Sequence, residues 1–125
     1  MNEDEISKVI VDAAVEVHRT VGPGLLESVY QKCLVRELGI RGVPCQEEVP
    51  LAVHYKGLSF ESAFRLDVLV AEKVIVELKV VENVLPVHKA QLLSYLRLSR
   101  LRLGLLINFN VPLLKGGITQ DCQQA

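Results

Sequence analysis

Asp67, Glu77 and Lys79 are charges embedded in one apolar stretch, residues 64–81 (FRLDVLVAEKVIVELKVV). Burying a carboxylate or an ammonium group without a partner is costly, because its water is lost and nothing replaces it. Glu77 and Lys79 stand two residues apart, so on a strand they share a face. Asp67 joins them if the turn between the two strands holds an odd number of residues, since a slip of one residue sends every side chain to the other face. A three-residue turn at Ala71–Lys73 meets that condition. Two carboxylates and an ammonium at one end of a hairpin suit a divalent cation: magnesium takes one or two carboxylates and completes its shell with water and substrate oxygens. The same three charges could instead form a structural ion-pair cluster at the rim of a sheet.

Other polar residues stand where they could join this chemistry. Glu27 falls in the first turn of a predicted helix, where it either complements the helix dipole or supplies a third acid to the hairpin. His88, Gln91 and Tyr95 are spaced three and four apart and share one face of a later helix. Gln91 is either a solvent-rim glutamine or a group reaching toward substrate. Lys89, Arg97, Arg100 and Arg102 give that end of the chain local positive charge. His54 reads as a strand surface residue, with no second histidine placed to join it in binding a metal.

The elements that must position these residues follow from periodicity. Phe64, Leu66, Val68 and Val70 alternate with Arg65, Asp67 and Leu69. Val74, Val76, Leu78 and Val80 alternate with Ile75, Glu77, Lys79 and Val81. Upstream, Ile6, Val9, Ile10, Ala13, Ala14 and Val17 make a stripe of helical period over residues 4–20, acidic at its start and basic at its end. A second helix is predicted over 25–38, with Leu26, Val29, Tyr30, Cys33, Leu34 and Leu38 facing inward and Gly39 and Gly42 marking its exit. Residues 46–56 read as a strand that Pro50 confines to an edge or a bulge. Pro86 opens a third helix running to Ser99, and residues 101–109 form a last buried strand. The segment after Ile118 is polar and reads as a frayed tail.

With 125 residues the chain makes one domain, predicted over 1–118 with a polar tail over 119–125. Half of its residues are hydrophobic and its net charge is −1, so any hold on nucleic acid must come from a local basic patch rather than from the whole molecule. Three cysteines without a CxxC pattern suit reduced thiols in the cytoplasm. The acidic N-terminus lacks the pattern of a signal peptide. No apolar run is long enough to cross a bilayer, and a soluble protein is expected.

With these elements in place the chain resembles the PD-(D/E)XK nuclease superfamily, whose motif is an acid on one strand and E-x-K on the next, here Asp67 and Glu77-Leu78-Lys79. More narrowly it resembles the GxxExxY family, through Gly24-Leu25-Leu26-Glu27-Ser28-Val29-Tyr30 and the segments VELKVVENVLPVHKAQLLSYLRL and LRLGLLINFNVPLLKGGI. That resemblance implies an α+β fold with a restriction-endonuclease-like α-β-β-β-α-β core: a mixed central sheet flanked by helices, with an extra N-terminal helix. It implies hydrolysis of phosphodiester bonds in nucleic acid, DNA ahead of RNA, with magnesium or manganese as cofactor. Asp67, Glu77 and Glu27 would be the metal ligands, Lys79 the catalytic lysine and Gln91 a further catalytic residue. Tyr30, His88 and Tyr95 would bind substrate. A homodimer is compatible with cutting both strands. The rival reading is an inactive nuclease fold that only binds nucleic acid or a protein.

Overall fold

The computed structural model describes residues 1–122. The first predicted helix, α1, runs from Glu3 to Val21. Its start is a capping box: Asn2 Oδ1 accepts from the Glu5 amide at 2.8 Å, and Glu5 Oε1 accepts from the Asn2 amide at 3.0 Å. Helix starts leave such amides open unless a side chain meets them. The second helix, α2, spans Glu27–Ile40 and begins later than the periodicity suggests. Leu26, expected to face inward, is extended backbone ahead of the helix and 73% exposed, and Val29 is exposed as well. Gly39 lies within the last turn rather than beyond it.

Five strands follow: β1 (Cys45–Tyr55), β2 (Leu58–Val70), β3 (Val74–Lys79), β4 (Leu103–Asn108) and β5 (Ile118–Cys122). The third helix, α3 (Pro86–Ser99), lies between β3 and β4. The sheet order is β1-β2-β3-β4-β5. Every pairing is antiparallel except β3 with β4, which is parallel. A parallel pair needs a crossover connection, and α3 provides it. Helices α1 and α2 cover one face over a core of Ile10, Ala14, Leu34, Val68, Val76 and Leu105, among others. Helix α3 covers the other face over Leu66, Ile75, Leu92, Leu96 and Leu106. Strand β3 is buried from Val74 to Leu78, as expected of a strand covered on both sides. The result is the mixed α+β, restriction-endonuclease-like arrangement with its extra N-terminal helix. No helix among the described residues is long and apolar enough to cross a membrane.

Helix α3 lies close to the sheet at Gly104, where an added Cβ would come within 2.7 Å of Leu92 Cδ1. Cys33 is half-buried against the core as a free thiol, as its place on an apolar helix face suggests. Pro50 sits on the edge strand β1, where a missing amide costs no ladder bond on the open side. The register of β1 on β2 also shifts between Leu51 and Val53.

Two expectations are corrected. The polar segment after Ile118 is not frayed over 119–122: it belongs to β5, paired with β4 from Ile107↔Ile118 to Leu103↔Cys122. An edge strand needs backbone bonds on one side only and keeps its outer surface polar, so missing apolar alternation misleads there. Residues 123–125 of that tail lie outside the described residues. The alternation of β2 is also not continuous. Val68 and Val70 face α1 and α2, whereas Leu66 faces α3. On β1 the same switch separates Cys45 from Val49 and Leu51. Between the pairs Glu47↔Val68 and Val49↔Leu66 the ladder skips Glu48 and Asp67, and Glu48 takes a left-handed φ of 52°. A residue with a Cβ rarely adopts that conformation. The hairpin therefore twists from one face of the sheet to the other at Asp67.

Candidate active site

Asp67 sits where β2 leaves β3. The last paired residues are Val68 and Val76, and beyond them side chains take the place of ladder bonds. Asp67 Oδ2 accepts from the Leu78 amide at 2.8 Å, and Glu77 Oε1 accepts from the Asp67 amide at 3.2 Å. The three-residue turn at 71–73 delivers the odd count that brings Asp67 across from Glu77. Ala71 and Glu72 both adopt left-handed φ to make it.

These two carboxyls cannot both shed their protons cheaply. Burial and then the charge of Asp67 push the Glu77 carboxyl well above the usual range. Burial likewise raises Asp67, against the pull of the Leu78 amide. The pair therefore retains a proton that isolated carboxylates would lose, with Glu77 only 7% exposed. Lys79 lies on the same face of β3 as Glu77 and favours the ionised form of Asp67, Glu77 and Glu27 alike. No ion pair joins Lys79 to either carboxylate among the described residues, which is not the structural ion-pair cluster that the sequence also allows.

Glu27 opens α2. Burial and then the charge of Asp67 raise its carboxyl, while Lys79 lowers it, so it shares their electrostatic neighbourhood. Its placement depends on Tyr30, expected to bind substrate but fully buried instead. The Tyr30 hydroxyl donates to the Gly22 carbonyl at 2.5 Å and accepts from the Leu25 amide at 3.1 Å, which closes the loop ahead of Glu27. Within that loop Gly24 has a φ of 88°, a conformation that favours glycine. The Tyr30 ring stacks on Phe109, with centroids 4.4 Å apart, and the Phe109 amide donates to the Lys79 carbonyl at 3.0 Å. One brace, with the buried Tyr30 at its centre, thus ties the Glu27 loop to the Lys79 strand.

The remaining expected residues divide. The Tyr95 ring packs against Phe64 at 5.1 Å, and its phenol is raised by burial, then by Glu77 and Asp67. Gln91 is exposed on α3 and makes no hydrogen bond to the acids among the described residues. The His88 Nδ1 accepts from the Leu85 amide at 3.0 Å and so caps α3. Sequence reasoning missed two neighbours. Glu48 adds negative charge felt by both Glu27 and Asp67. The buried Gln31 donates to Glu47 and Glu48 at 3.2 and 3.1 Å. A signal existed in the acidic pair ahead of Pro50 and in a glutamine at an inward helix position. It missed Asn108 too, 3% exposed, whose side chain accepts from the Val81 amide at 3.1 Å and donates to the Val81 carbonyl at 2.8 Å. Asn108 thereby fixes the chain just past Lys79.

Among the described residues no group of three His, Cys, Asp or Glu side chains converges into a metal cage. Two adjoining carboxyls nevertheless fit magnesium, which keeps several waters and uses few protein ligands, and a divalent charge would displace the proton the pair retains. A family model described as the PD-(D/E)XK nuclease superfamily matches residues 4–120. No curated protein and no solved structure matches the chain. With an acid where β2 parts from β3, E-x-K on β3 and a family match over nearly its whole length, the chain belongs to the PD-(D/E)XK nuclease superfamily.

Proposed function

We propose that this chain hydrolyses phosphodiester bonds in nucleic acid, DNA in this reading, with magnesium or manganese held by Asp67 and Glu77. The observation that carries the proposal is the carboxyl pair itself. Two acids crowd one another at the point where the ladder opens, an arrangement that costs stability unless a cation relieves it. When bound, the ion supplies positive charge that polarises the phosphate and acidifies a water. Asp67 and Glu77 orient it by their backbone tethers. Lys79 sets its ammonium beside the reacting phosphate to offset developing negative charge. Glu27, held by the Tyr30 loop, approaches from the helix side to orient water. We also place the chain in the GxxExxY branch, on its Gly24–Tyr30 segment. The free thiols of Cys33, Cys45 and Cys122 suit a cytoplasmic setting. Cutting both strands of a duplex would take two copies, one site for each strand.

The test is cleavage of labelled single-stranded, duplex and branched oligonucleotides with magnesium, manganese or chelator. Metal-dependent cleavage that Asp67→Asn abolishes is the expected result. Equal cleavage by the parent and by purified Asp67→Asn would place the activity elsewhere.

A further inference from the structure

Six aromatic residues occur in the chain, three tyrosines and three phenylalanines. Tyr30 and Phe109 stack on each other in the core. The other four are Tyr55 on β1, Phe60 and Phe64 on β2, and Tyr95 on α3. Leu51↔Phe64, Val53↔Phe60 and Tyr55↔Leu58 are directly opposed pairs, and opposed residues share a face. Leu51 packs on the α3 side and Phe64 meets Tyr95 of α3. Beyond the register shift between Leu51 and Val53, Tyr55 and Phe60 share one face of the outer ribbon with Val53 and Leu58. The outer part of the β1–β2 hairpin is thus a two-stranded ribbon with one apolar face. Tyr55 and Leu58 are each 58% exposed and Phe60 is 51% exposed. The opposite face is polar, with His54 Nδ1 and Ser59 Oγ 2.9 Å apart. Lys56 and Gly57, both at positive φ, close the ribbon in the tight turn that favours the strands' twist.

We propose that this face is a stacking track for single-stranded nucleic acid, leading unpaired bases from Tyr55 and Phe60 at the tip, past Phe64, to Tyr95 beside the carboxyl pair. Exposed rings accept any base on their π-faces, and nearby cations hold the phosphates. Lys56 lies over the Tyr55 ring, 5.2 Å from its centroid, and Arg65 flanks Phe64. Against them residues 51–66 carry one acid, Glu61, with Asp67 beyond them at the site. At its inner end the track meets Tyr95, near enough to Glu77 and Asp67 for their charge to act on its phenol. A second copy of the chain fits the face less well. Two ribbons set face to face would bury about 100 Å² for each half-exposed ring. Stable association takes about 800 Å² per partner. The proposal rests on the nuclease reading for the strand's destination, since a track ending at a carboxyl pair feeds a strand into it.

Fluorescence anisotropy in chelator, where nothing is cut, separates binding from cleavage. The probes are a labelled oligonucleotide and its blunt duplex, read at several salt concentrations. The parent binds the single strand more tightly than the duplex. Replacing both tip rings, Tyr55→Ala with Phe60→Ala, weakens single-strand binding about tenfold or more. The salt slope stays unchanged, because the phosphate contacts remain. Exchanging the rings, Tyr55→Phe with Phe60→Tyr, restores affinity, which separates stacking from any general loss of structure. Equal parent affinity for both probes, or undiminished single-strand binding by the alanine variant, overturns the proposal. So does a parent dimer that the alanine variant converts to monomer with single-strand affinity intact, which would make the face a self-interface. Ring-dependent binding without metal-dependent cleavage by the parent leaves the track standing and removes the nuclease reading. Cleavage with ring-independent binding removes only the track.

Discussion

Burial raises the folded pKa of both carboxyls in the Asp67–Glu77 pair, at Glu77 with the charge of Asp67 added, and this sets the direction of several outcomes. The pair's contribution to metal-free stability is therefore fully present below the ordinary carboxylate range and lost as pH rises toward the point where folded Glu77 ionises. Metal-free melts of the parent should fall in temperature as pH climbs from about 5 through neutrality, and Glu77→Gln should flatten that decline. A steeper decline in the variant would mean that Glu77 is ionised and paired. Cleavage should respond differently at the neighbouring position: Lys79→Ala should lower turnover by about a hundredfold or more, the usual scale for lost charge stabilisation. Gln91→Ala should cost far less, since Gln91 is exposed and untethered to the acids. Kinetics of the two variants on one labelled substrate, with matching melts, check both statements. Asp67, Glu77 and Lys79 were legible because charges inside an apolar strand demand an explanation. Glu48 was not, because its part depends on a left-handed φ that no residue type announces.

Between elements, the brace from Tyr30 through Phe109 to the Lys79 carbonyl makes its own prediction. Tyr30→Phe keeps the ring stack and removes the hydroxyl that serves Gly22 and Leu25. Two backbone groups then lose their partner, at a cost of about 1–3 kcal/mol each if they stay buried. The loop ahead of Glu27 should loosen, with a modest fall in melting temperature and a larger fall in turnover. Hydrogen exchange at the Leu25 amide should rise while the β3 and β4 amides stay protected; unchanged exchange there would deny the tether. The helices and the β2–β3 hairpin were readable because period and turn length are local properties. The switch of faces at Asp67 and the pairing of β5 were not. The first is set by twist between strands, and the second by a neighbour that supplies bonds to a polar edge.

Across the whole molecule, a site that strains the metal-free fold should report its own occupant. A divalent ion that binds only the folded state at about 100 times its dissociation constant adds roughly 2.7 kcal/mol of stability. For a domain of this size each kcal/mol raises the melting temperature by roughly 2–8 °C. The direct test is the thermal melt of the parent and of Glu77→Gln, near neutral pH, with manganese or with chelator. The parent should melt several degrees higher with manganese, whereas Glu77→Gln should start slightly above the metal-free parent and gain nothing. A parent that ignores millimolar manganese, together with a Glu77→Gln variant that melts lower than it, would make Asp67 and Glu77 a structural pair and contradict the metal site.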